Sequence, residues 1–287
     1  MTDRPPEDSS PGAEGALRRA VAAHEAGDMA AAEAAYREAA DAGSLDAGFQ
    51  LGVILQDRGD YELAANAYEP VAAAGDNEAT LNLAMVLAYE LGRPDDAIAL
   101  LGEVTGRGDA RGWVELGMLY AHQGRLAEAE PALREALDHE SRAYLGLGRV
   151  LSVLNRHEEA LAAYRGALAR GHDEAWSPVA WELMRLDRLT DAEEAARRAV
   201  TAGAPGSRGI LGVMLHQLEQ FDEAERTFEE AIEEGEPAWL SYGDLLADWE
   251  GREDEAETVY RRAIEQREEG ATAALAEFLR EQGREND

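Results

Sequence analysis

Residues 113–136 read WVELGMLYAHQGRLAEAEPALREA, and this stretch decides the fold because it contains two amphipathic helical segments with a break between them. The first segment has its core-facing residues at i, i+3, i+4 and i+7, on one face of a helix: Trp113, Leu116, Gly117 and Tyr120. Gly124 interrupts the periodicity and predicts a turn. The second segment restarts the helical face: Leu126, Ala129, Leu133 and Ala136. Gly117 and Ala129 are small, so the two backbones can approach closely in a helical hairpin.

The same hairpin recurs along nearly the whole chain at an almost constant period. The alanine equivalent to Ala129 occurs eight times, at intervals of 32, 33, 32, 31, 32, 32 and 32 residues: Ala32, Ala64, Ala97, Ala129, Ala160, Ala192, Ala224 and Ala256. The interval of 33 reflects one extra residue before Gly92 in the third unit. The turn position is glycine in most units but Asn155, Asp187 and Glu219 in three. A fixed period of this size is the signature of a solenoid.

The repeats divide the chain into three parts. Residues 1–12 are rich in Pro, Ser and acidic residues and are predicted to be a disordered tail. Residues 13–268 hold eight hairpins, and residues 269–287 hold one further helix, which matches only the first half of a unit, and a tail. A lone helix suits the end of a solenoid, because the last repeat would otherwise expose its apolar face. The sequence therefore predicts an all-α solenoid of about eight antiparallel helix pairs with a C-terminal capping helix.

The charge balance limits the partners that this surface can bind. The 287 residues include 27 basic residues, all of them arginine, and 59 acidic residues, which gives a formal net charge of −32. Such an excess argues against binding to nucleic acid or to an anionic membrane. Acidic, solvated outer helical faces explain it most simply. Adaptation to a saline interior and a cationic partner are the two alternatives.

The location is predicted from features that the sequence lacks. There is no cysteine, so there is no disulfide framework and no thiol chemistry. The first residues, MTDRPPEDSSPG, contain no apolar stretch of the kind found in a secretory signal. No run of about 18 apolar residues occurs, so no membrane span is predicted. We therefore expect a cytoplasmic protein.

These residues resemble the tetratricopeptide repeat (TPR) family. The family pattern W-x2-L-G-x2-Y is met at residues 113–120, and its A-x3-F pattern is met at Ala224 and Phe228. Residues 36–55, YREAADAGSLDAGFQLGVIL, are similar to the Sel1-like relatives of that family. The resemblance covers about residues 13–283. The period is shorter than the family's length of about 34 residues, and glycine turns mostly replace its closing proline, which leaves the superhelical pitch open.

The resemblance implies a right-handed superhelix of antiparallel helix pairs, with first helices on the concave face and second helices on the convex face. It also implies a protein that binds peptides or protein surfaces in the concave groove and performs no chemistry. One variant of the family clamps a carboxylate with Lys and Asn at set first-helix positions. This chain has no lysine and only Asn82 nearby, so that specific function is not transferred.

No motif in the sequence predicts catalysis or a bound metal. The six histidines lie in distant repeats and form neither HExxH nor an i, i+4 pair, whereas a metal site needs convergent ligands. Gly146 and Gly148 lack the third glycine of a dinucleotide-binding loop. There is also no GxSxG motif and no phosphate-binding P-loop. We predict no enzyme activity, no cofactor and no metal.

The concave face is the better place to look for a binding site. Spacing from the small-residue step predicts which first-helix residues face away from the partner helix. The ten candidates are Phe49, Met85, Tyr89, Arg111, Met118, His122, Leu145, Arg149, Trp181 and Arg185. The same spacing selects seven further positions: Val53, Leu81, Val114, Arg142, Met184, His216 and Gln217. For every apolar position, core packing against the next repeat is the alternative.

The candidate residues also predict the chemistry of a partner. Aromatic side chains and arginines are typical interface anchors, and arginine can hold a carboxylate through two hydrogen bonds. We expect the middle repeats to bind a peptide or protein segment that has apolar anchors and at least one acidic group or C-terminal carboxylate. Two other functions stay open. The chain could be a self-associating structural solenoid, such as a homodimer within a larger assembly, or a ligand-sensing regulator.

Overall fold

The computed structural model describes residues 11–284, and helices are the only regular secondary structure within that range. This confirms the prediction of an all-α repeat fold. The chain forms two compact units that divide between Ala143 and Tyr144. Each unit is a series of helical hairpins in which odd-numbered helices are the first helices and even-numbered helices the second. Residues 1–10 of the predicted tail lie outside the described residues.

Unit 1 comprises four hairpins with turns of two or three residues between paired helices. Its helices are α1 (Pro11–Glu25), α2 (Met29–Asp41), α3 (Leu45–Arg58), α4 (Tyr61–Ala73), α5 (Asn77–Met85, continued by a π-helix over Val86–Glu90), α6 (Pro94–Gly106), α7 (Ala110–His122) and α8 (Leu126–Ala136). Helix α1 begins at Pro11, so residues 11 and 12 belong to a helix rather than to the predicted tail. Proline is tolerated at a first helical position, because its missing N–H would have no intrahelical partner there.

Unit 2 repeats the arrangement and ends on an unpaired helix. Its helices are α9 (Ala143–Val153), α10 (His157–Leu168), α11 (Trp176–Arg185, preceded by a 3-10 turn over Asp173–Ala175), α12 (Leu189–Thr201), α13 (Ser207–Gln217), α14 (Phe221–Glu233), α15 (Trp239–Ala247), α16 (Glu253–Glu265) and α17 (Ala271–Glu281). Helix α17 packs on α16 and α15. Phe278 of α17 is buried, and its ring lies 5.5 Å from that of Tyr260.

In five of the hairpins a glycine on the first helix meets a large side chain of the second helix. A Cβ added to Gly52 would lie 2.4 Å from Cε1 of Tyr68, and one added to Gly148 would lie 2.5 Å from Cε1 of Tyr164. At Gly117 the nearest atom is Cγ of Leu133, again at 2.5 Å. The space that a Cβ would occupy is already filled by the facing side chain. This confirms the predicted close approach of the two helices.

The hairpin turns require a left-handed residue. Asn155, Asp187 and Glu219 each have φ 57°, at the position where the other hairpins carry glycine with positive φ. Glycine adopts this conformation without a steric penalty, whereas other L-residues do not. Asparagine and aspartate tolerate it better than glutamate, because their short side chains can bond locally. Glu219 is therefore the most strained of the three.

The extra residue of the third unit is absorbed as a π-helical turn. The N–H of Leu91 donates to the carbonyl of Val86 at 3.1 Å, an i to i−5 bond in place of the usual i to i−4 bond. Val86 and Leu87 stay buried, whereas Tyr89 and Glu90 are exposed. The insertion thus leaves the core in register and places an aromatic ring on the surface.

Linker carboxylates also join successive repeats in unit 2. Glu268, which follows α16, accepts hydrogen bonds from the N–H groups of Trp239 and Leu240 at 3.0 and 2.8 Å. Glu236 accepts one from the N–H of Gly209 at 2.8 Å. Each carboxylate satisfies N–H groups at the start of the preceding first helix, where no intrahelical partner exists.

Replacement of Gly52 by alanine tests the close approach in the hairpin. Gly52→Ala should destabilise the protein by about 1–3 kcal/mol, because the new methyl group overlaps the buried Tyr68 ring. Gly102→Ala is the matched control, since Gly102 is exposed in α6 and nothing lies within 4 Å of an added Cβ. It should stabilise by about 0.5–1 kcal/mol. Urea denaturation measures both, and equal stability of the two variants would contradict the packing assignment.

Replacement of Glu219 by glycine tests the strain at the turn. Glu219→Gly should raise the free energy of unfolding by about 1 kcal/mol, because glycine removes the penalty of the left-handed conformation. Among residues 11–284 the Glu219 side chain takes part in no ion pair or hydrogen bond, so no contact is lost. Glu219→Ala keeps the Cβ and should bring no such gain. A thermal or urea midpoint that rises equally in both variants would show that charge, not backbone strain, is responsible.

Candidate functional site

An open cleft of ≈ 630 Å³ lies on the first helices at the start of unit 1, and we call it the N-terminal cleft. Its apolar lining comes from Leu17 and Val21 of α1 and Phe49 of α3, together with the ring of Tyr36. Val21 is 41% exposed, so its side chain contributes apolar surface to the cleft. The Phe49 ring lies 5.9 Å from that of buried Tyr68, so this lining rests on the core.

Carboxylates surround this apolar lining. Glu25 ends α1, Asp46 lies in the first turn of α3, and Asp76 and Glu78 lie at the start of α5. Asp76 caps α5, because its Oδ1 accepts the N–H of Ala79 at 2.9 Å. Glu25 and Glu78 are exposed, and their side chains make no ion pair or hydrogen bond within residues 11–284.

The negative potential of the cleft also acts on its tyrosine. Burial raises the pKa of the Tyr36 hydroxyl, and the charge of Glu25 raises it further. His24 also belongs to the lining, and its Nδ1 lies 3.5 Å from the Tyr36 hydroxyl. The part of the chain that the structure describes contributes no arginine to the cleft lining. The cleft therefore combines an apolar surface with a strongly anionic edge.

A second aromatic feature of unit 1 lies at the π-helical turn. The rings of Tyr89 and His122 meet edge to face, with their centroids 5.4 Å apart. Tyr89 is 39% exposed, and His122 is exposed at the end of α7. These residues are 33 positions apart in the sequence, and both were predicted to line the groove. The structure brings them together on one surface.

The ten predicted groove residues are all at least partly exposed in the structure. Six lie in unit 1 and four in unit 2. Of the ten, Phe49 lines the N-terminal cleft. Of the seven further positions, five are also at least partly exposed. Leu81 and Val114 are different: they are 8% and 2% exposed, so both belong to the core. The alternative of core packing is correct for Leu81 and Val114. A small rotation of a helix can turn such a position into the core, and sequence spacing alone cannot predict that rotation.

The predicted carboxylate-binding arginines are mostly engaged within the chain. Arg111 holds Asp109 through Nε and Nη2, at distances down to 2.7 Å, and this pairing lowers the pKa of the Asp109 carboxyl. Arg185 donates from Nη1 to Glu182 at 3.1 Å. Arg149 is exposed and has no ion pair or side-chain hydrogen bond within residues 11–284. Two of the three arginines therefore already bind a carboxylate of their own chain.

Unit 2 contains a buried carboxylate at a position that is apolar in other repeats. Glu182 is 2% exposed. Its equivalents are all buried: Ile54, Val86, Leu119, Val150, Met214, Leu245 and Phe278. His157 begins α10, where other second helices begin with residues such as Leu126 and Leu189. The imidazole Nδ1 of His157 lies 2.8 Å from Oε2 of Glu182, so two polar substitutions at separate repeat positions satisfy one another.

This polar cluster does not form a catalytic triad, although it contains serine, histidine and glutamate. The hydroxyl of Ser152 donates to Oε1 of Glu182 at 2.6 Å, and Arg185 donates to the same serine oxygen at 3.0 Å. Activation of a serine nucleophile requires the imidazole to accept the hydroxyl proton. Here the carboxylate accepts it instead. Among residues 11–284 no group of three or more His, Asp or Glu residues could hold a metal ion.

The sequence did not reveal the N-terminal cleft. The first helix of the first unit has a weak apolar pattern, and the spacing of Leu17 and Val21 fits a core-facing side of α1 as well as a surface. Their i, i+4 spacing was visible, and so was the density of carboxylates near Phe49. The sequence pattern could not predict the depth of the cleft, because that depth depends on the spacing of α1, α3 and α5 in the fold.

A double-mutant cycle tests the buried cluster. His157→Leu alone should lower the free energy of unfolding by about 2–3 kcal/mol, because it removes one partner of a buried carboxylate. Adding Glu182→Leu should restore stability to the wild-type level or above, because both positions then match the apolar residues of other repeats. Urea denaturation of the four proteins measures the coupling. Additive effects of the two substitutions would show that His157 and Glu182 do not act as a pair.

Comparison with known proteins settles the family. The sequence profile of the tetratricopeptide repeat matches six overlapping stretches that run without a gap through most of the chain: residues 49–88, 86–140, 128–175, 145–208, 178–238 and 215–271. The chain belongs to the tetratricopeptide repeat family. This confirms the resemblance seen in the sequence. TPR proteins are in general scaffolds for protein–protein interaction, and the fold is typically non-enzymatic.

Solved structures agree with the TPR assignment at the level of the fold. The protective antigen c5321 of uropathogenic Escherichia coli, which has an SLR (Sel1-like) fold, superposes with a TM-score of 0.68 at 19% identity. That match covers 94% of this chain, and this chain spans 65% of the length of c5321. A tetratricopeptide repeat protein from Parabacteroides merdae superposes with a TM-score of 0.59 at 15% identity. That match covers 78% of this chain and 93% of the Parabacteroides protein. PilF of Pseudomonas aeruginosa superposes with a TM-score of 0.53 at 17% identity, and the match covers 66% of this chain and 90% of PilF.

No curated protein matches the sequence of this TPR chain in a direct search. No helix among residues 11–284 has the length and apolar character that crossing a membrane requires.

Proposed function

We propose that this TPR protein is a non-enzymatic scaffold that binds a segment of another protein in the N-terminal cleft of unit 1. The observation that carries the proposal is the exposed apolar surface of Leu17, Val21 and Phe49, held open between α1 and α3. Contiguous apolar surface in a concavity is typical of a binding site. In this proposal the protein acts in the cytoplasm.

The aromatic surface at the π-helical turn extends the proposed binding face within unit 1. Tyr89 and His122 supply exposed rings, and Met85 and Met118 are half-buried on the same two first helices. Aromatic and methionine side chains are enriched at interfaces, because they bury much area at low entropic cost. The predicted contact with an acidic group or C-terminal carboxylate is left with Arg149 of unit 2, since Arg111 and Arg185 are already bonded, and the proposed binding in the cleft of unit 1 does not use it.

Site-specific photo-cross-linking tests the proposal. Val21 is replaced by p-benzoylphenylalanine, and Leu63, which is 49% exposed on the second helix α4, is replaced in a matched control protein. Irradiation in the native cells should give a cross-linked partner at position 21 that is absent at position 63. The partner is identified by mass spectrometry, and its affinity is then measured by calorimetry against wild type and Val21→Gln. Identical cross-links from both positions, or an unchanged affinity for Val21→Gln, would contradict binding in the cleft.

A further inference from the structure

We infer that the N-terminal cleft selects a protein segment in which an arginine or lysine lies beside an apolar side chain. The inference rests on the proposed function and specifies the partner that the cleft accepts. It reverses the sign of the charge predicted from the sequence, where arginines in the middle repeats suggested an acidic partner. The reason is that two of the three predicted arginines already bind carboxylates of the chain, whereas two carboxylates of the cleft have no such partner.

Glu25 and Glu78 are the charges that carry the inference. They come from different first helices, α1 and α5, and both line the cleft. Neither makes an ion pair or side-chain hydrogen bond within residues 11–284, although most arginines of the chain hold a carboxylate. Asp46 and Asp76 add negative charge to the same lining. An incoming guanidinium or ammonium would find anionic acceptors without displacing an arginine from Glu25 or Glu78.

The apolar lining of the cleft indicates that its ligand is not a simple cation. No group of three His, Asp or Glu side chains within the described range is arranged to hold a metal ion. The carboxylates instead lie around an apolar surface formed by Leu17, Val21 and Phe49. Apolar surface gains free energy only by covering another apolar group. Lysine and arginine have long apolar stems below their charged ends, so a basic residue next to an apolar one suits both parts of the cleft.

The charge of the whole chain works in the same direction. A net charge of −32 attracts a cationic segment over a long range and speeds its encounter with the surface. It repels nucleic acid and acidic peptides by the same field. The cleft then supplies the local contacts that retain a basic and apolar segment.

Peptide display provides the test, with a random library of about twelve-residue peptides as the probe. The full-length chain selects binders, and a synthetic peptide of the enriched sequence is titrated by fluorescence anisotropy. Enriched peptides should carry Arg or Lys next to Leu, Ile or Phe. Their affinity should fall about tenfold in the double variant Glu25→Gln/Glu78→Gln, and about tenfold between roughly 50 mM and 500 mM salt.

The matched control is Glu62→Gln/Glu69→Gln on helix α4. Both residues are exposed, neither makes a side-chain bond within residues 11–284, and the net charge changes equally. The affinity of this control should stay within about twofold of wild type, because long-range attraction alone is weak at moderate salt. Circular dichroism confirms that both double variants fold. Equal losses in the two double variants would overturn the inference in favour of a general effect of charge.

The outcomes also separate the inference from the proposed function. Peptides that lose affinity in Val21→Gln but not in Leu63→Gln, and that carry no basic residue, would overturn the inference and leave the proposed function standing. Peptides that bind both of these variants as tightly as wild type would overturn both, since binding would not use the cleft. A selection that enriches nothing over the bare support counts against both in the same way.

Discussion

The close approach of the two helices in each hairpin is the constraint on which the rest of the structure depends. Gly52 receives the ring of Tyr68, and Gly148 receives that of Tyr164, at distances that leave no room for a Cβ. A single large side chain fills these crossings, and the rest of the core is shared between successive hairpins, as in the cluster that runs from Ala16 to Ala132 in unit 1. The next hairpin then needs to cover only one further face, so hairpins can be added in series. Side chains on the exposed side of the first helices remain available for binding.

The repeat tolerates change wherever this crossing is preserved. An extra residue in the third unit becomes a π-helical turn that leaves Val86 and Leu87 buried. A glutamate replaces an apolar core residue in unit 2, because His157 and Ser152 satisfy its carboxylate. In both repeats the small residue at the crossing is an alanine, Ala84 or Ala180, and it stays fully buried. They produce local features, an exposed Tyr89 in one case and a buried polar cluster in the other, without altering the helical pairing.

The distribution of ion pairs matters more for binding than the number of charges. Arginines are scarce relative to carboxylates, and most of them are held by neighbouring acidic side chains, as Arg111 is by Asp109 and Arg252 by Glu225. The excess charge is therefore carried by carboxylates that remain unpaired. Where such carboxylates surround apolar surface, as Glu25 and Glu78 do in the N-terminal cleft, the surface has a defined preference for one kind of partner.

The sequence by itself determined the hairpin, its period, its family and the crossing at Gly117 and Ala129, because helical periodicity and small-residue spacing are local properties of the chain. It also located the extra residue before Gly92 and the turns at Asn155, Asp187 and Glu219. Only the tertiary structure decided that Leu81 and Val114 are buried, that Arg111 and Arg185 are already bonded, and that Leu17, Val21 and Phe49 surround a cleft. The burial and the cleft depend on helix rotation and on the spacing of neighbouring helices, about which periodicity contains no information. The arginine pairs are only two and three residues apart in the sequence, but the side-chain conformations in the fold show that they form.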